Sequence, residues 1–170
     1  MGELIPNGTI QHAIKWEVWG QMYLYNDGSG NDQVCKRWPA VYCDGSWKTS
    51  YGGTYNVTRQ GSLLAIPPSM ESSIEKQLKS EPGKIMLTVL INYGGYIVDD
   101  TGWDSQGFCI ENGVEKEFES YWGYGMNTGS PFADDMILIS KYLHVINNNR
   151  QNSIGGGGTL RQPLPPPIGN

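Results

Sequence analysis

His12 is the side chain of this sequence best suited to acid–base chemistry near neutral pH. It falls within residues 9–19, where apolar and polar residues alternate as they do in a strand with one buried face. The apolar face of this strand consists of Ile10, His12, Ile14, Trp16 and Val18. A polar ring on such a face needs hydrogen-bond partners. His12 is therefore expected to be either a general base or ligand at the floor of a cleft, or a core histidine held by backbone or carboxylate partners.

Three carboxylates lie close together in the sequence, at Asp99, Asp100 and Asp104. Glycoside hydrolysis needs two carboxyl groups about 5 to 9 Å apart, one as an acid and one as a nucleophile or base. Successive strand residues point to opposite sides, so only Asp99 or Asp100 is expected to face a cleft, with Asp104 as its partner. Turn formation and a calcium site are the alternatives, although the segment lacks EF-hand spacing. In an enzyme, His12 and one of these aspartates are the predicted acid–base pair.

Aromatic side chains form the second set of candidate site residues. Trp and Tyr greatly outnumber Phe, and their polar edges suit stacking on polar ligands as well as ordinary core packing. Arg37 beside Trp38 is expected either to clamp a carboxylate or sulfate while the indole stacks on a sugar, or to pair with a structural Asp beside a buried Trp. Four aromatic residues in loops are expected on a binding surface: Trp47, Tyr51, Tyr55 and Trp103.

The elements that must position these residues are strands mixed with helices, without the regular alternation of a parallel α/β sheet. The expected strands lie at 9–19, 37–43, 61–66, 96–100, 108–111 and 144–146. The expected helices lie at 69–80, from Pro82 to Gly94 and at 134–143, while 114–122 is a helix or a hairpin arm. The sequence therefore predicts an α+β fold with a mixed, mainly antiparallel sheet and three to four helices.

The chain is expected to contain one domain and a tail. Residues 1–150 are predicted to be a single globular α+β domain, because a chain of this length usually builds one core. Residues 151–170 contain four consecutive glycines and several prolines, and they are predicted to form an extended tail. Two long polar loops, 26–33 and 44–56, are expected to carry binding surface.

Charge and motif content exclude several classes of function. The net charge is −5 and the twelve Lys and Arg residues are scattered, whereas nucleic-acid binding needs clustered cations. No apolar run approaches the length of about 20 residues that spans a bilayer. The sequence has no Cys-x-x-Cys pair, no phosphate-binding loop and no nucleophile elbow. We therefore predict neither a metal nor a cofactor.

Cysteines and targeting signals bear on the compartment. Cys35 and Cys43 bracket a short segment and can form a disulfide if their Cα atoms come within reach, whereas Cys109 is expected to be a buried free thiol. The first residues lack the basic and apolar regions of a signal peptide, so the chain is expected to be cytosolic or already processed. Low Lys content, abundant Gly, Asn, Tyr and Trp, and sequons at Asn7 and Asn56 favour an extracellular location.

Five short motifs follow one another along the chain. They are Gly8–Ile14 (GTIQHAI), Arg37–Ala40 (RWPA), Gly61–Pro68 (GSLLAIPP), Tyr93–Asp100 (YGGYIVDD) and Gly155–Thr159 (GGGGT). In this order they resemble the C-terminal portion of a poorly characterised group of bacterial secreted proteins, which often occur beside carbohydrate-binding modules. In those proteins another segment precedes the start of this chain, so a fragment, a processed product or a shortened relative is expected. The resemblance implies an extracellular location and an association with polysaccharide.

The leading hypothesis is a secreted domain that binds or cleaves polysaccharide, with residues 26–33, residues 44–56 and Trp103 as its contact face. A second hypothesis is a structural or assembly subunit of an extracellular matrix or filament, whose tail packs on further copies of the chain. A third is a support domain for a catalytic segment upstream in the same precursor.

Overall fold

A computed structural model describes residues 2–159 and 161–162 of the chain, and its secondary structure confirms the α+β class. The strands are β1 (Ile14–Trp19), β2 (Leu63–Ala65), β3 (Gly95–Thr101), β4 (Gln106–Phe108) and β5 (His144–Val145). The α-helices are α1 (Gly20–Tyr23), α2 (Trp47–Ser50), α3 (Glu71–Glu75), α4 (Glu81–Asn92), α5 (Val114–Trp122) and α6 (Pro131–Ser140). Short 3-10 helices cover Pro68–Met70 and Ile154–Gly156.

The five strands form one sheet in the order β4-β1-β3-β2-β5. β1 runs parallel to β3, whereas the pairings of β1 with β4, β2 with β3 and β2 with β5 are antiparallel. The expected mixed, mainly antiparallel sheet is therefore confirmed. Because β1 lies between β3 and β4, the turn that joins β3 to β4 passes over the C-terminal end of β1.

β1 is shorter than the strand expected at 9–19, because its neighbour in the sheet begins late. Gly95, the first residue of β3, pairs with Ile14, and the preceding Gly94 has a φ of +76° at the end of α4. Residues 9–13 pair with no strand that the structure describes. From Ile14 onward the expected alternation is confirmed, since Ile14, Trp16 and Val18 are buried and Lys15 is exposed.

Residues 37–43 do not form the expected strand. Ala40 N donates a hydrogen bond of 2.9 Å to Arg37 O, and the turn that this bond closes contains the cis peptide between Trp38 and Pro39. Cys35 and Cys43 are joined by a disulfide, with their Cα atoms 6.1 Å apart. The segment therefore returns on itself instead of extending along a sheet edge.

The two longest helices begin where serine side chains cap them. Ser80 Oγ accepts a hydrogen bond from Gly83 N, and Ser130 Oγ accepts one from Ala133 N, both at 3.1 Å. A proline lies in the first turn of each helix, where its missing N–H costs nothing. Because of its cap, α6 begins at Pro131 rather than at the expected residue 134.

Other elements differ from expectation in length or number. Residues 114–122 form a helix rather than a hairpin arm, and β4 covers Gln106–Phe108 rather than 108–111. The helix expected at 69–80 divides into a 3-10 turn and the short α3. The helix count exceeds the expected three to four, because α1 and α2, of four residues each, lie in segments without an expected helix.

A continuous row of aromatic rings joins the sheet to the helices. Trp16 of β1 stacks on Phe108 of β4 at a centroid distance of 6.4 Å, and Phe108 meets Phe132 of α6 edge-on at 6.0 Å. Phe132 then contacts Phe118 of α5 at 5.1 Å. Trp16, Phe118 and Phe132 are almost completely buried, so this row forms the part of the core between the sheet and helices α5 and α6. Helix α4 contributes the largest share of helical residues to the same core.

Asp135 connects the two longest helices. Its carboxylate accepts hydrogen bonds from Lys79 N at 2.8 Å, from Ser80 N at 2.9 Å and from Ser80 Oγ at 2.6 Å, and the residue is 1% exposed. A Cβ at position 83 would lie 2.3 Å from Asp135 Oδ2, so only glycine leaves room for this approach. Asp135 therefore reaches from α6 to the N-terminus of α4 and joins the two helices.

Part of the expected tail, residue 160 and residues 163–170, lies outside the described residues. Within the described part, Gly155 N donates to Asn149 Oδ1 at 2.9 Å, and Asn148 Nδ2 donates to Gly156 O. The domain boundary near residue 150 stays a prediction. None of the helices described here combines the length and the apolar character that crossing a membrane requires.

Replacing Asp135 with Ala is expected to lower the free energy of unfolding by about 3 kcal/mol, because two buried donors and one partly buried donor lose their acceptor. Urea unfolding followed by tryptophan fluorescence measures the change. Asp134→Ala is the matched control: Asp134 pairs with Lys79 at 2.9 Å on the surface, and its loss should cost less than about 1 kcal/mol. Equal losses in the two variants would contradict the role given to Asp135.

Candidate functional site

His12 is not in the core. It lies in a bend before β1 and is exposed, so the expectation of a core histidine is wrong. His12 lines a small cavity of about 140 Å³ beside Ile10 and Cys109, and its role as a general base or ligand in a cleft stays a prediction. Its Nε2 atom lies 3.1 Å from Glu3 Oε1, and its Nδ1 atom lies 3.0 Å from Ala13 O. Both ring nitrogens therefore have partners at the surface, on the side where β1 begins.

His12 and the predicted aspartates lie at opposite ends of β1. Asp99 pairs with Glu17 and Asp100 pairs with Val18, close to the end of the strand. At about 3.3 Å per residue, the strand from Ile14 to Glu17 alone covers about 10 Å, and His12 lies beyond Ile14. The acid–base pair predicted between His12 and one of the aspartates is therefore not formed.

Asp44, Asp99 and Asp100 form an acidic cluster, in which each residue offers a carboxylate oxygen within 4.8 Å of the others. The expectation that only Asp99 or Asp100 faces a shared site is wrong. The pairing of β1 with β3 shifts by one residue at Val98, and Asp99 Oδ1 turns back to accept a hydrogen bond of 3.0 Å from Asp100 N. The irregular strand end thus lets two consecutive carboxylates approach each other.

Asp44 is the member of the cluster that sequence reasoning missed. It lies in the loop 44–56, far from Asp99 in the chain, and no spacing rule connects the two segments. Asp104, by contrast, was predicted as the carboxylate partner but lies outside the cluster, on the turn between β3 and β4. The nearest signal in the sequence was the possible disulfide between Cys35 and Cys43. This bond fixes the position of Cys43, the residue before Asp44.

Gln60 holds the Asp44 loop against β3. Its Oε1 atom accepts hydrogen bonds from Asp44 N at 2.9 Å and from Tyr51 Oη at 3.2 Å. Its Nε2 atom donates to Val98 O at 2.5 Å, at the point where the strand register shifts. Both ends of this buried amide are therefore used, and the loop and the irregular strand are fixed relative to each other.

Burial raises the pKa of Asp100, and the neighbouring carboxylates of Asp44 and Asp99 raise it further. The carboxylate packs directly on the backbone of α1, since a Cβ at Gly20 would lie 2.6 Å from Asp100 Oδ2. The same region raises the pKa of Tyr51, mainly through burial and then through the charge of Asp100. Protonation of Asp100 is thus favoured relative to a free aspartate.

Asp44 has the opposite shift. Its pKa is lowered, chiefly by the hydrogen bond from the Ser46 hydroxyl and also by the backbone N–H groups of Ser46 and Gly45. The acidic cluster therefore contains one carboxyl that favours its proton beside another that favours the ionised form. This split is the arrangement that acid–base chemistry with two carboxyl groups requires.

The same three carboxylates are the residues of this region that could hold a hard cation. Calcium takes six to eight oxygen ligands, so three aspartates would supply less than the full set and water or a ligand would supply the rest. The cluster is therefore chemically capable of two things: binding a divalent cation, or donating and accepting protons at a bound ligand.

The predicted aromatic residues divide into exposed and buried groups. Trp103 and Tyr55 are 72% and 77% exposed, as a binding surface requires, and Tyr42, which the sequence interpretation missed, is 80% exposed. Trp47 and Tyr51 are buried, so the expectation of exposed rings at these positions is wrong. Trp47 Nε1 donates to Asp32 Oδ1 at 3.2 Å, which explains how its polar edge is satisfied.

Arg37 and Trp38 are both partly buried. Arg37 Nη1 donates to Val57 O at 3.1 Å and to Asn147 Oδ1 at 3.2 Å, and Nη2 donates to Asn147 O. No Asp or Glu in the described part of the chain forms an ion pair with Arg37. The structural alternative, in which Arg37 pairs with an Asp, is therefore wrong, and the clamp for an anion stays a prediction.

A cleft of about 610 Å³ lies between β4 and α6. Its walls include the aromatic rings of Trp16, Phe108 and Phe132, and its polar lining includes Asp104 and Gln106. Trp16 Nε1 is buried without a hydrogen-bond partner among residues 2–159 and 161–162. The size and the mixture of apolar walls with a few polar groups are typical of ligand sites.

Cys109 is free, as expected, but it is exposed rather than buried. Its Sγ donates a hydrogen bond of 3.2 Å to Glu17 Oε1. Partial burial and the Glu17 carboxylate raise the pKa of the thiol, which disfavours the reactive thiolate. Cys109 is therefore a poor candidate for a nucleophile.

Comparison of the chain with protein-family models, with curated proteins and with solved structures finds no match. The resemblance to secreted bacterial proteins and the association with polysaccharide therefore stay predictions. The disulfide between Cys35 and Cys43 is compatible with an extracellular protein, because such bonds persist mainly in oxidising compartments.

Asp100→Asn is expected to raise the free energy of unfolding at pH 7. The pKa of Asp100 is higher in the folded state than the value of 3.8 for a free aspartate. The protonated carboxyl therefore stabilises the fold fully below pH 3.8, and this stabilisation is lost as the pH rises through the folded-state pKa. The stability difference between the variant and the parent should therefore shrink as the pH falls toward 3.8.

Chemical denaturation between pH 3 and pH 8, roughly the range over which aspartate titrates in proteins, measures this difference. Asp104→Asn removes a charge outside the acidic cluster and serves as the control. A variant at Asp100 that is less stable than the parent at pH 7 would show that the carboxylate has a stabilising partner instead of a destabilising environment.

Proposed function

We propose that the chain is an extracellular polysaccharide-binding domain whose contact surface lies at the C-terminal ends of β1 and β3. The observation that carries the proposal is that two exposed aromatic residues lie within three residues of members of the acidic cluster along the chain. Tyr42 lies two residues before Asp44, and Trp103 lies three residues after Asp100. Exposed aromatic faces beside hydrogen-bonding carboxylates suit a sugar, which has apolar faces and a rim of hydroxyl groups.

The cleft between β4 and α6 extends this surface. Val18 pairs with Asp100 on one side and with Gln106, which lines the cleft, on the other. Two strand spacings of about 4.8 Å place the backbones of Asp100 and Gln106 about 10 Å apart. One extended oligosaccharide can therefore contact the acidic cluster, cross the turn at Trp103 and enter the cleft.

A glycan array covering neutral, carboxylated and sulfated glycans, followed by titration of the best ligand, tests binding. Trp103→Ala is expected to weaken affinity about three- to tenfold, the effect of losing one aromatic stacking contact. Tyr121→Ala removes an exposed aromatic ring from α5, outside the acidic cluster and the cleft, and should leave affinity unchanged. No binding to any glycan by the folded parent chain would contradict the proposal.

Hydrolysis of the bound polysaccharide is a second candidate function, favoured by the split between the carboxyl groups of Asp100 and Asp44. Asp100, with its raised pKa, would protonate the leaving oxygen of the glycosidic bond. Asp44, which stays ionised, would attack the anomeric carbon and form a glycosyl–enzyme bond that water then breaks. Oxygens within 4.8 Å of each other match the short carboxyl separation of enzymes that retain anomeric configuration.

A reducing-sugar assay on the glycans that bind tests hydrolysis. Asp100→Asn and Asp44→Asn are each expected to lower the rate by about 10²- to 10⁴-fold, the usual contribution of an acid or base group. His12→Gln, at the opposite end of β1, should leave the rate unchanged. Glycan binding without release of reducing ends would retain the binding function and exclude hydrolysis of those ligands.

A further inference from the structure

Three of the four arginines in the chain line one surface pocket. This arginine pocket contains Arg37, Arg59 and Arg150, together with Asn56, Val57 and Asn147, and its volume is about 340 Å³. None of its lining residues is acidic. A net charge of −5 makes such a concentration of unneutralised cations unexpected for this chain.

Four of the nine other Lys and Arg residues have a carboxylate partner among the described residues. Lys48, Lys79, Lys84 and Arg161 lie within 4.0 Å of Asp32, Asp134, Glu81 and Glu71, respectively. Over the described residues, no carboxylate comes equally close to the three arginines of the pocket. The charge of Arg59 lowers the pKa of Asp27, but it is the smallest of the causes that shift this pKa. Asp27 does not line the pocket.

Two of the arginines are held in place before any ligand binds. The Arg37 guanidinium is fixed by its bonds to Val57 O and Asn147. Arg59 Nε donates to Asn56 O at 2.7 Å, and its guanidinium lies 5.1 Å from the ring centre of Tyr25. These contacts use only some of the five N–H donors of each guanidinium, so the remaining donors are available at little further cost in entropy.

Arg150 completes the pocket from the surface. It is exposed, and its side chain makes no hydrogen bond within the part of the chain that the structure describes. Burial lowers the pKa of Arg37, and the charges of Arg59 and Arg150 lower it further, because like charges close to the Arg37 guanidinium disfavour its charged form. A bound anion would replace this repulsion with attraction.

We propose that the arginine pocket binds a tetrahedral oxyanion, sulfate or phosphate, either as a free ion or as an ester group on the polysaccharide. Planar guanidinium groups donate pairs of hydrogen bonds to such oxygens. A single carboxylate is matched by one arginine, whereas three arginines at different positions suit the several oxygens and higher charge of a tetrahedral anion. The ester form rests on the proposed function, but the free ion tests the pocket independently of any glycan.

Titration of the full chain with inorganic sulfate, phosphate and acetate, followed by backbone amide NMR at low ionic strength, tests the proposal. Sulfate and phosphate are expected to shift the amide signals of Val57, Asn147 and Arg150, and these shifts should saturate as the anion concentration rises. Acetate is expected to bind at least tenfold more weakly. Acetate binding as tight as that of sulfate would overturn the preference for a tetrahedral anion. Absence of saturable shifts with all three anions would overturn the site itself.

Arg150→Gln is the decisive variant, because Arg150 is exposed and its loss leaves no hydrogen bond broken. It should weaken sulfate binding at least tenfold while the amide spectrum of the free chain stays that of the parent. Arg161→Gln removes the fourth arginine, which is paired with Glu71 outside the pocket, and should have no effect. Equal weakening by both variants would indicate attraction by overall charge and overturn the pocket.

Glycans distinguish the two sources of the anion. Stronger binding of a sulfated or phosphorylated polysaccharide than of its neutral form, lost in Arg150→Gln, would support the ester form. Binding of inorganic sulfate without binding of any glycan would support the pocket and contradict the proposed function. Equal binding of neutral and esterified glycans, with no response to inorganic sulfate, would support the proposed function and overturn the pocket.

Discussion

The buried amide of Gln60 is the interaction on which the arrangement of both candidate sites depends. Its side chain joins Asp44, Tyr51 and the carbonyl of Val98, and its backbone receives a hydrogen bond of 2.9 Å from Arg37 N and donates one of 3.1 Å to Cys35 O. An apolar residue of similar size would leave the carbonyl of Val98 and the amide of Asp44, both partly buried, without these partners, at a cost of about 1 kcal/mol for each group. One residue thus connects three segments that are distant in the sequence.

The segment around Gln60 also separates the two kinds of charge. The Gln60 side chain is directed to the acidic cluster, while the neighbouring Arg59 lines the arginine pocket. The backbone of this segment therefore lies between the carboxylates and the guanidinium groups. In direct contact the two sets of charges would neutralise each other. A chain with few charged residues can keep a carboxyl group of raised pKa and a group of arginines without carboxylate partners in this way, because neither set of side chains forms an ion pair with the other.

Local chemistry explains which elements were predictable. Both long helices were expected from the sequence, because their start and stop signals act within a few residues: serine and proline before α4 and α6, and glycines after α4. The Ser130 cap places the start of α6 earlier than the apolar pattern indicated. The strand at 9–19 was predicted too long, because alternation describes which face is buried but not where the neighbouring strand begins. For the same reason His12 was assigned to a buried face that does not extend to it.

The sequence by itself determined the α+β class, the helices with clear caps, the alternation within β1, and Asp99, Asp100 and Trp103 as candidate residues, because each of these features depends on composition or on residues close together in the chain. Tertiary structure alone decided that Asp44 joins the acidic cluster, that Asp104 and His12 do not, and that Arg37, Arg59 and Arg150 share one pocket. Those outcomes depend on a register shift at Val98 and on contacts between loops far apart in sequence. No periodicity or spacing rule specifies such contacts, because they arise only when the whole chain packs.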